Sequence, residues 1–315
     1  MIRPIVLAVA LSPLLFACRS APQANPASPV AAAPSAPAAP ALKQMKVNGV
    51  GLAYVEQGAG TPVVFVHGTL GDWRTLDALR PAVAKRWRYV AYSRRYHQPN
   101  PWPGDASDYS YQLHEADLVA FIQGLGAGPV HLVGHSYGAV VVLLVAMDHP
   151  ELLKTAVIAE PPAGELIADR PGAGPLVAER SRAEADALAA ARSGDDRRAA
   201  EVFIDWVAGT PGAFWKLTED RRRRFLENVR TIGPQMAQPP PPPITCPLVG
   251  AVRIPVLVIR GERTTRYYNA VTDALLSCLP SGTERSVIPA AGHASYAANP
   301  AAFTESVLGF LAGHP

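Results

Sequence analysis

The residues Gly134-His135-Ser136-Tyr137-Gly138 set a serine between two glycines, directly after the apolar run Val130 to Val133 and just before a second one, Val140 to Met147. The spacing has a mechanical reason. A serine at a tight strand-to-helix turn is held in a strained conformation, and the positions two before and two after it must be small for the backbone to pass. Such a turn lifts the hydroxyl above the sheet and places it at a helix N-terminus, whose dipole opposes negative charge. The chemistry is nucleophilic attack by Ser136, with an oxyanion forming beside it. The hydroxyl needs a neutral imidazole to take its proton, and the chain has eight histidines. His131 falls inside the strand-like run, and His135 fills the variable slot of the turn. No metal-ligand spacing, nucleotide loop or cofactor motif accompanies these residues, so neither metal nor cofactor is expected.

A nucleophile of this kind needs a sheet to carry it. Val47-Asn48-Gly49-Val50 holds a hairpin-type Asn-Gly between alternating runs, which predicts an opening antiparallel pair ending near Glu56. Pro62 to Val66, Tyr89 to Tyr92, Val130 to Val133, Thr155 to Ala159 and Val256 to Ile259 are short apolar, β-branched runs, most of them followed by helix-like stretches. Continuous apolar strands alternating with helices predict a mostly parallel, doubly wound α/β sheet covered on both faces. Between about residues 163 and 243 the alternation stops. Residues 175–192 and 195–208 read as helices, Thr218 to Arg230 as a further amphipathic piece, and Pro239 to Pro243 return the chain to the sheet. An all-helical insertion between two strands is a cap. Its stripe of Val202, Phe203, Trp206 and Val207 is read as packing, and the run Arg221 to Arg224 as a solvated face.

With these motifs the chain resembles the α/β-hydrolase fold family, and the likeness spans most of residues 45–313. Val63-Val64-Phe65-Val66-His67-Gly68-Thr69-Leu70-Gly71-Asp72 is similar to that family's third strand and its His-Gly turn. The resemblance implies an oxyanion hole made by the amide of Thr69, or of Leu70 if the register differs by one, together with the amide of Tyr137 after the nucleophile. His67 is implied to be structural. Val287-Ile288-Pro289-Ala290-Ala291-Gly292-His293-Ala294 resembles the last strand and its Gly-His loop, which makes His293 the general base. Ser93-Arg94-Arg95-Tyr96-His97 departs from the Asp-x-Arg-Gly turn common after the fourth strand and is read as a structural loop.

The acid is where the pattern breaks. Relatives that carry it after the seventh strand read Gly-x-x-Asp, whereas here the register gives Gly261-Glu262-Arg263-Thr264. Asp273 follows too far inside the next helix. Other relatives, haloalkane dehalogenases and certain lipases among them, carry the acid at the end of strand six. Ala156-Val157-Ile158-Ala159-Glu160-Pro161-Pro162 ends an apolar strand in a glutamate at the edge where open α/β sheets bind ligands, and two prolines hold the chain extended beyond it. Glu160 is the expected acid and Glu262 the alternative; either would orient His293 and stabilise its imidazolium.

The resemblance implies a serine hydrolase of carboxylic esters that works through an acyl-enzyme on a small-molecule substrate, with a pocket set by the neighbourhoods of Leu70, Trp73 and Tyr268. Amide, lactone or C–C hydrolysis and cofactor-free haloperoxidase-type perhydrolysis are alternatives on the same scaffold. A non-catalytic binding lipoprotein is the alternative of another class. Serine at position 136 disfavours an aspartate-nucleophile dehalogenase or epoxide hydrolase.

The front of the chain is different in kind. Met1 to Cys18 carries one cation, Arg3, followed by the uncharged apolar run Pro4 to Ala17. That run is shorter than the roughly 20 residues a membrane span needs and fits the core of an export signal. Leu15-Phe16-Ala17-Cys18 resembles a bacterial lipobox, which implies removal of residues 1–17, a lipid on Cys18 that holds the protein to a membrane and, with Arg19 next, outer-membrane residence. A soluble periplasmic or secreted protein is the alternative. Residues 18–41 are rich in Ala, Pro and Ser and form a solvated tether, and the domain occupies residues 42–315. The formal net charge of +3, one unit of which is Arg3, is too small to argue for nucleic acid or anionic lipid. Cys246 and Cys278 remain as an even pair in a compartment that permits oxidation, and a disulfide is expected.

Overall fold

The computed structural model describes residues 40–315. The expected signal peptide, the lipidation site Cys18 and the tether up to residue 39 lie outside the described residues. Eight strands form one sheet: β1 Lys43–Val47, β2 Val50–Gln57, β3 Pro62–Val66, β4 Arg88–Tyr92, β5 Val130–His135, β6 Leu153–Ala159, β7 Val256–Gly261 and β8 Glu284–Ile288. Their order is β1-β2-β4-β3-β5-β6-β7-β8. The β1–β2 and β2–β4 pairs are antiparallel and the others parallel. Asn48 and Gly49 close the expected hairpin with φ of 43° and 82°, the left-handed geometry these two residues adopt most readily.

β3 and β5 are buried at every position. Side chains alternate across a strand, so Val64, Val66 and Leu132 enter the core on one face while Val63, Phe65 and Val133 enter it on the other. The helices of eight or more residues are α1 Tyr111–Leu125, α2 Tyr137–Asp148, α3 Gly174–Arg192, α4 Asp196–Ala208, α5 Glu219–Glu227, α6 Arg266–Cys278 and α7 Pro300–Gly313; α1, α2 and α6 pack into the core on one face of the sheet and α7 on the other. The cap consists of α3 to α5 and shorter turns, and it joins β6 to β7. Asp195 stands just before α4 and caps it by accepting Arg198 N–H at 3.0 Å, while Gly209 ends it with φ of 62°. The disulfide is present between Cys246 and the last residue of α6, Cys278, with Cα atoms 4.9 Å apart.

Two expectations about element ends are corrected. β5 runs on to His135 and β7 to Gly261, because the parallel ladders continue past the apolar residues, as in Gly134↔Ile158 and Gly261↔Ile288. The amphipathic piece at 218–230 is divided: α5 stops at Glu227, and a 3-10 turn covers Val229–Thr231. Asn228 ends the helix by donating its side-chain amide to Arg224 O and to Asp72 Oδ2, both at 3.0 Å.

The order of the sheet also fixes where a ligand can bind. From β3 the chain lays β4 on one side and β5 on the other. At such a switch point the loops leave in opposite directions and open a crevice at the carboxyl ends of the strands. Thr69 leaves β3 there, and Ser136 leaves β5.

Candidate active site

Ser136 sits between β5 and α2 with φ of 54° and ψ of −123°, a conformation costly for a residue with a side chain. Its neighbours show why the flanking glycines are needed. A Cβ on Gly134 would lie 2.5 Å from Gly138 O, and one on Gly138 would lie 2.3 Å from Val66 O. Ser136 N–H donates to Ala159 O at 2.9 Å, which ties the turn to the end of β6. Tyr137 is the first residue of α2, so its N–H has no acceptor within the helix.

One residue past β6, Glu160 is fully buried, with φ of 54°. Its Oε1 accepts Gly261 N–H at 2.7 Å. Its Oε2 accepts Thr264 Oγ1–H at 2.6 Å and faces His293 Nδ1 at 3.0 Å. Hydrogen bonds to a charged acceptor contribute about 1.5–3 kcal/mol each. A carboxylate on Nδ1 fixes the proton there and leaves Nε2 as the acceptor. Thr264 stands where the family pattern has an aspartate and instead donates to the carboxylate of Glu160, which follows the neighbouring strand. The other glutamate, Glu262, is exposed and accepts Ala290 N–H at 2.7 Å, so it braces the loop before His293 without facing the imidazole.

His293 is held on two further sides. His135 Nε2 meets its carbonyl at 2.9 Å, and the Tyr268 ring stacks on its own, centroids 4.0 Å apart at 26°. Burial, and then the neighbouring His293, lowers His135 to about 3, so it stays neutral and donates. His67 is likewise driven to about 3, first by burial and then by the Arg94 charge. Its Nε2 accepts Arg94 N–H at 3.0 Å, which is the structural part expected of it.

The His-Gly turn closes through Gly71 N–H to Gly68 O at 3.2 Å, with Leu70 at φ of 58°. Leu70, Ser136 and Glu160 thus place three strained residues at the carboxyl ends of the adjacent strands β3, β5 and β6. Arg94, almost fully buried, donates to both carbonyls of the turn, His67 O and Gly68 O, at 3.2 Å, and its guanidinium covers the Tyr137 ring at 4.4 Å. The loop after β4 therefore props the turn.

A cavity of about 220 Å³ opens above these residues, with Ser136, Thr69, Tyr137 and Tyr268 on its wall. Three expectations are corrected here. Leu70 is fully buried and borders a neighbouring cavity instead, because its positive φ turns the chain away after Thr69. Trp73 packs against the core of the opposite sheet face, its backbone N–H donating to Ser93 Oγ at 3.2 Å. Phe203 and Trp206, read as packing alone, also line the Ser136 cavity from the cap. Two further cap residues on this wall escape sequence reasoning. Gln235 donates Nε2–H to Thr69 Oγ1 at 2.8 Å and accepts from Tyr109 at 3.2 Å. Arg180, on α3, is fixed by Pro162 O and Glu184, each at 2.8 Å. Neither has a local signal in the sequence, since both reach the site through the placement of the cap.

Comparison with known proteins agrees with this architecture. Residues 63–306 match the model of the alpha/beta hydrolase family. The sn-1-specific diacylglycerol lipase ABHD11 of Mus musculus is 25% identical over 264 residues, 79% of this chain and 80% of that protein. The crystal structure of carboxylesterase CesB from Bacillus subtilis superposes with a TM-score of 0.71 at 19% identity, covering 88% of this chain and 93% of that one. A thermophilic esterase from Thermogutta terrifontis does so with a TM-score of 0.68 at 20% identity, covering 87% and 100%. At these identities the likeness to the two crystal structures is one of fold, but the family match runs from the central strand β3 into the last helix, α7. The chain belongs to the alpha/beta hydrolase family.

Proposed function

We propose that the protein is a serine hydrolase of carboxylic esters. Ser136 Oγ attacks the ester carbonyl as His293 Nε2 takes its proton, and the oxyanion is held by the N–H groups of Thr69 and Tyr137. His293 returns the proton to the leaving alcohol, an acyl-Ser136 forms, and water releases the acid by the same steps in reverse order. Glu160 keeps the imidazole in the required tautomer and stabilises the imidazolium without taking its proton. Two preorganised donors act where charge develops, and each is worth about 2.7–4 kcal/mol in comparable sites. The observation that carries this reading is the buried Glu160 carboxylate at 3.0 Å from His293 Nδ1, itself fixed by two donors.

A fluorophosphonate probe tests it. The reading expects covalent labelling of the native protein, none in Ser136→Ala, and hydrolysis of short p-nitrophenyl esters that is lost in parallel. An unlabelled, well-folded native sample refutes it. We propose further that the chain is an exported outer-membrane lipoprotein, supported by the apolar leader, by the cysteine that follows Leu15-Phe16-Ala17 and by the Cys246–Cys278 disulfide. Metabolic labelling with radioactive palmitate should mark the native chain and not Cys18→Ser. Labelling of neither refutes the anchor.

A further inference from the structure

The cavity that Ser136 lines also carries a set of donors. Arg180 projects from α3 with its Nε on Glu184 Oε1 at 2.8 Å, and its Nη1 donates to Pro162 O at 2.8 Å and to Tyr267 Oη at 2.5 Å. Room for this arrangement is made by Gly164, where a Cβ would lie 2.7 Å from the Tyr267 hydroxyl and 2.9 Å from Nη1. The guanidinium is therefore immobilised on a cavity wall it shares with Ser136. Its Nη2 amino group has no hydrogen-bond partner among the described residues, and neither do the hydroxyls of Tyr111 and Tyr268, two residues on the same wall. The side-chain acceptors of this wall are largely taken: Gln235 Oε1 accepts from Tyr109 at 3.2 Å and Gln238 Oε1 from Tyr137 at 2.7 Å, while the second oxygen of Glu184 has no partner among the described residues.

We infer that the ester bound here carries a carboxylate, which takes Arg180 Nη2 and the two tyrosine hydroxyls as partners. A carboxylate offers about four acceptor sites and no donor, and it matches the planar fork of an arginine. An uncharged alkyl chain would offer these three donors no acceptor, which is unfavourable. The volume of about 220 Å³ lies below the roughly 300 Å³ at which pockets for drug-sized ligands begin, so the carboxylate is joined to the ester by a short chain. This inference rests on the proposed hydrolase activity and adds its substrate class.

The experiment compares kcat/KM for matched pairs that differ in that charge. p-Nitrophenyl hydrogen glutarate against p-nitrophenyl methyl glutarate places it on the acyl side, and butyryl glycolate against butyryl glycolamide places it on the alcohol side. The native enzyme should favour the anionic member of one pair by about tenfold or more, the size of one charge-assisted hydrogen bond. Arg180→Met should reduce that ratio by a similar factor. Glu184→Gln, which removes the competing negative charge and keeps the shape, should raise it, and this variant decides the matter if Arg180→Met does not fold. Native rates that do not distinguish the members of either pair, or a ratio unmoved by Arg180→Met and Glu184→Gln, would overturn the inference while leaving ester hydrolysis in place. Absence of turnover on every ester together with absence of Ser136 labelling would overturn the hydrolase reading itself.

Discussion

Moving the acid's charge from one strand to the next tests the site more sharply than deleting it. Glu160→Gln keeps the volume of the side chain. The introduced amide oxygen can still accept Gly261 N–H where Glu160 Oε1 now does so at 2.7 Å. Its NH₂ group, however, replaces the oxygen that stands 2.6 Å from Thr264 Oγ1 and 3.0 Å from His293 Nδ1. A donor facing Nδ1 drives the imidazole proton to Nε2, the nitrogen that must receive the serine proton. Losing the tautomer in this way costs about 10⁴-fold in kcat, or about 5.5 kcal/mol of barrier. Thr264→Asp then supplies a carboxylate within reach, since Thr264 Oγ1 lies 2.6 Å from the missing oxygen. In the double variant the introduced amide donates to the introduced carboxylate, which accepts His293 Nδ1–H. A misplacement of about 1 Å costs about 10²-fold, so the double variant should regain about 10²-fold over Glu160→Gln. Thr264→Asp alone crowds two carboxylates into one buried site and should melt below the double variant. Steady-state kcat on p-nitrophenyl acetate, with folding checked by circular dichroism, reads all four proteins. The reasoning fails if the folded double variant is no more active than Glu160→Gln. It also fails if Glu160→Gln stays within about tenfold of native while Glu262→Gln loses about 10³-fold.

Gln235→Met removes the cap's 2.8 Å bond to Thr69, and one neutral hydrogen bond of about 1 kcal/mol predicts a kcat about fivefold lower with KM held; a fall in KM of the same size would assign Gln235 to ground-state binding. Cys246→Ser with Cys278→Ser opens a loop with a sequence separation of 32 and should cost about 4 kcal/mol by loop entropy, read as a lower urea midpoint that reducing agent reproduces in the native protein. His67 and His135 are held near 3 by burial, so each takes up a proton on unfolding below the ordinary value of 6.5. Their contribution is complete above that value and declines as pH falls from it towards 3, at about 1.4 kcal/mol per pH unit for each. A melting temperature that stays flat over that window contradicts the assignment.

The sheet was legible because buried parallel strands write themselves as β-branched runs, and the hairpin because Asn48-Gly49 has one favoured geometry. Ser136 was legible for a steric reason: its turn tolerates only glycine at 134 and 138. The approach of Glu160 to His293 was reachable once position 264 offered no acid, since a carboxylate placed just before two prolines is held at the sheet edge. The pocket was the least legible. Leu70 and Trp73 follow the His-Gly turn in sequence, yet the chain turns at Leu70, with its positive φ, and neither residue lines the cavity. Arg180 and Gln235 stand more than 40 residues from Ser136 in sequence, and their approach depends on how the cap folds back, which no local pattern records.

The left-handed backbone at Leu70, Ser136 and Glu160 has a consequence for anyone engineering this scaffold. Only glycine takes that geometry freely, and each such residue costs about 1–3 kcal/mol. Random mutagenesis scored by heat tolerance alone is therefore rewarded for placing glycine at Ser136, and on the proposed role of that residue such clones should fold well and be inert. A campaign on this scaffold has to score turnover in the same round as survival, because one of these gains in melting temperature lies at the proposed nucleophile.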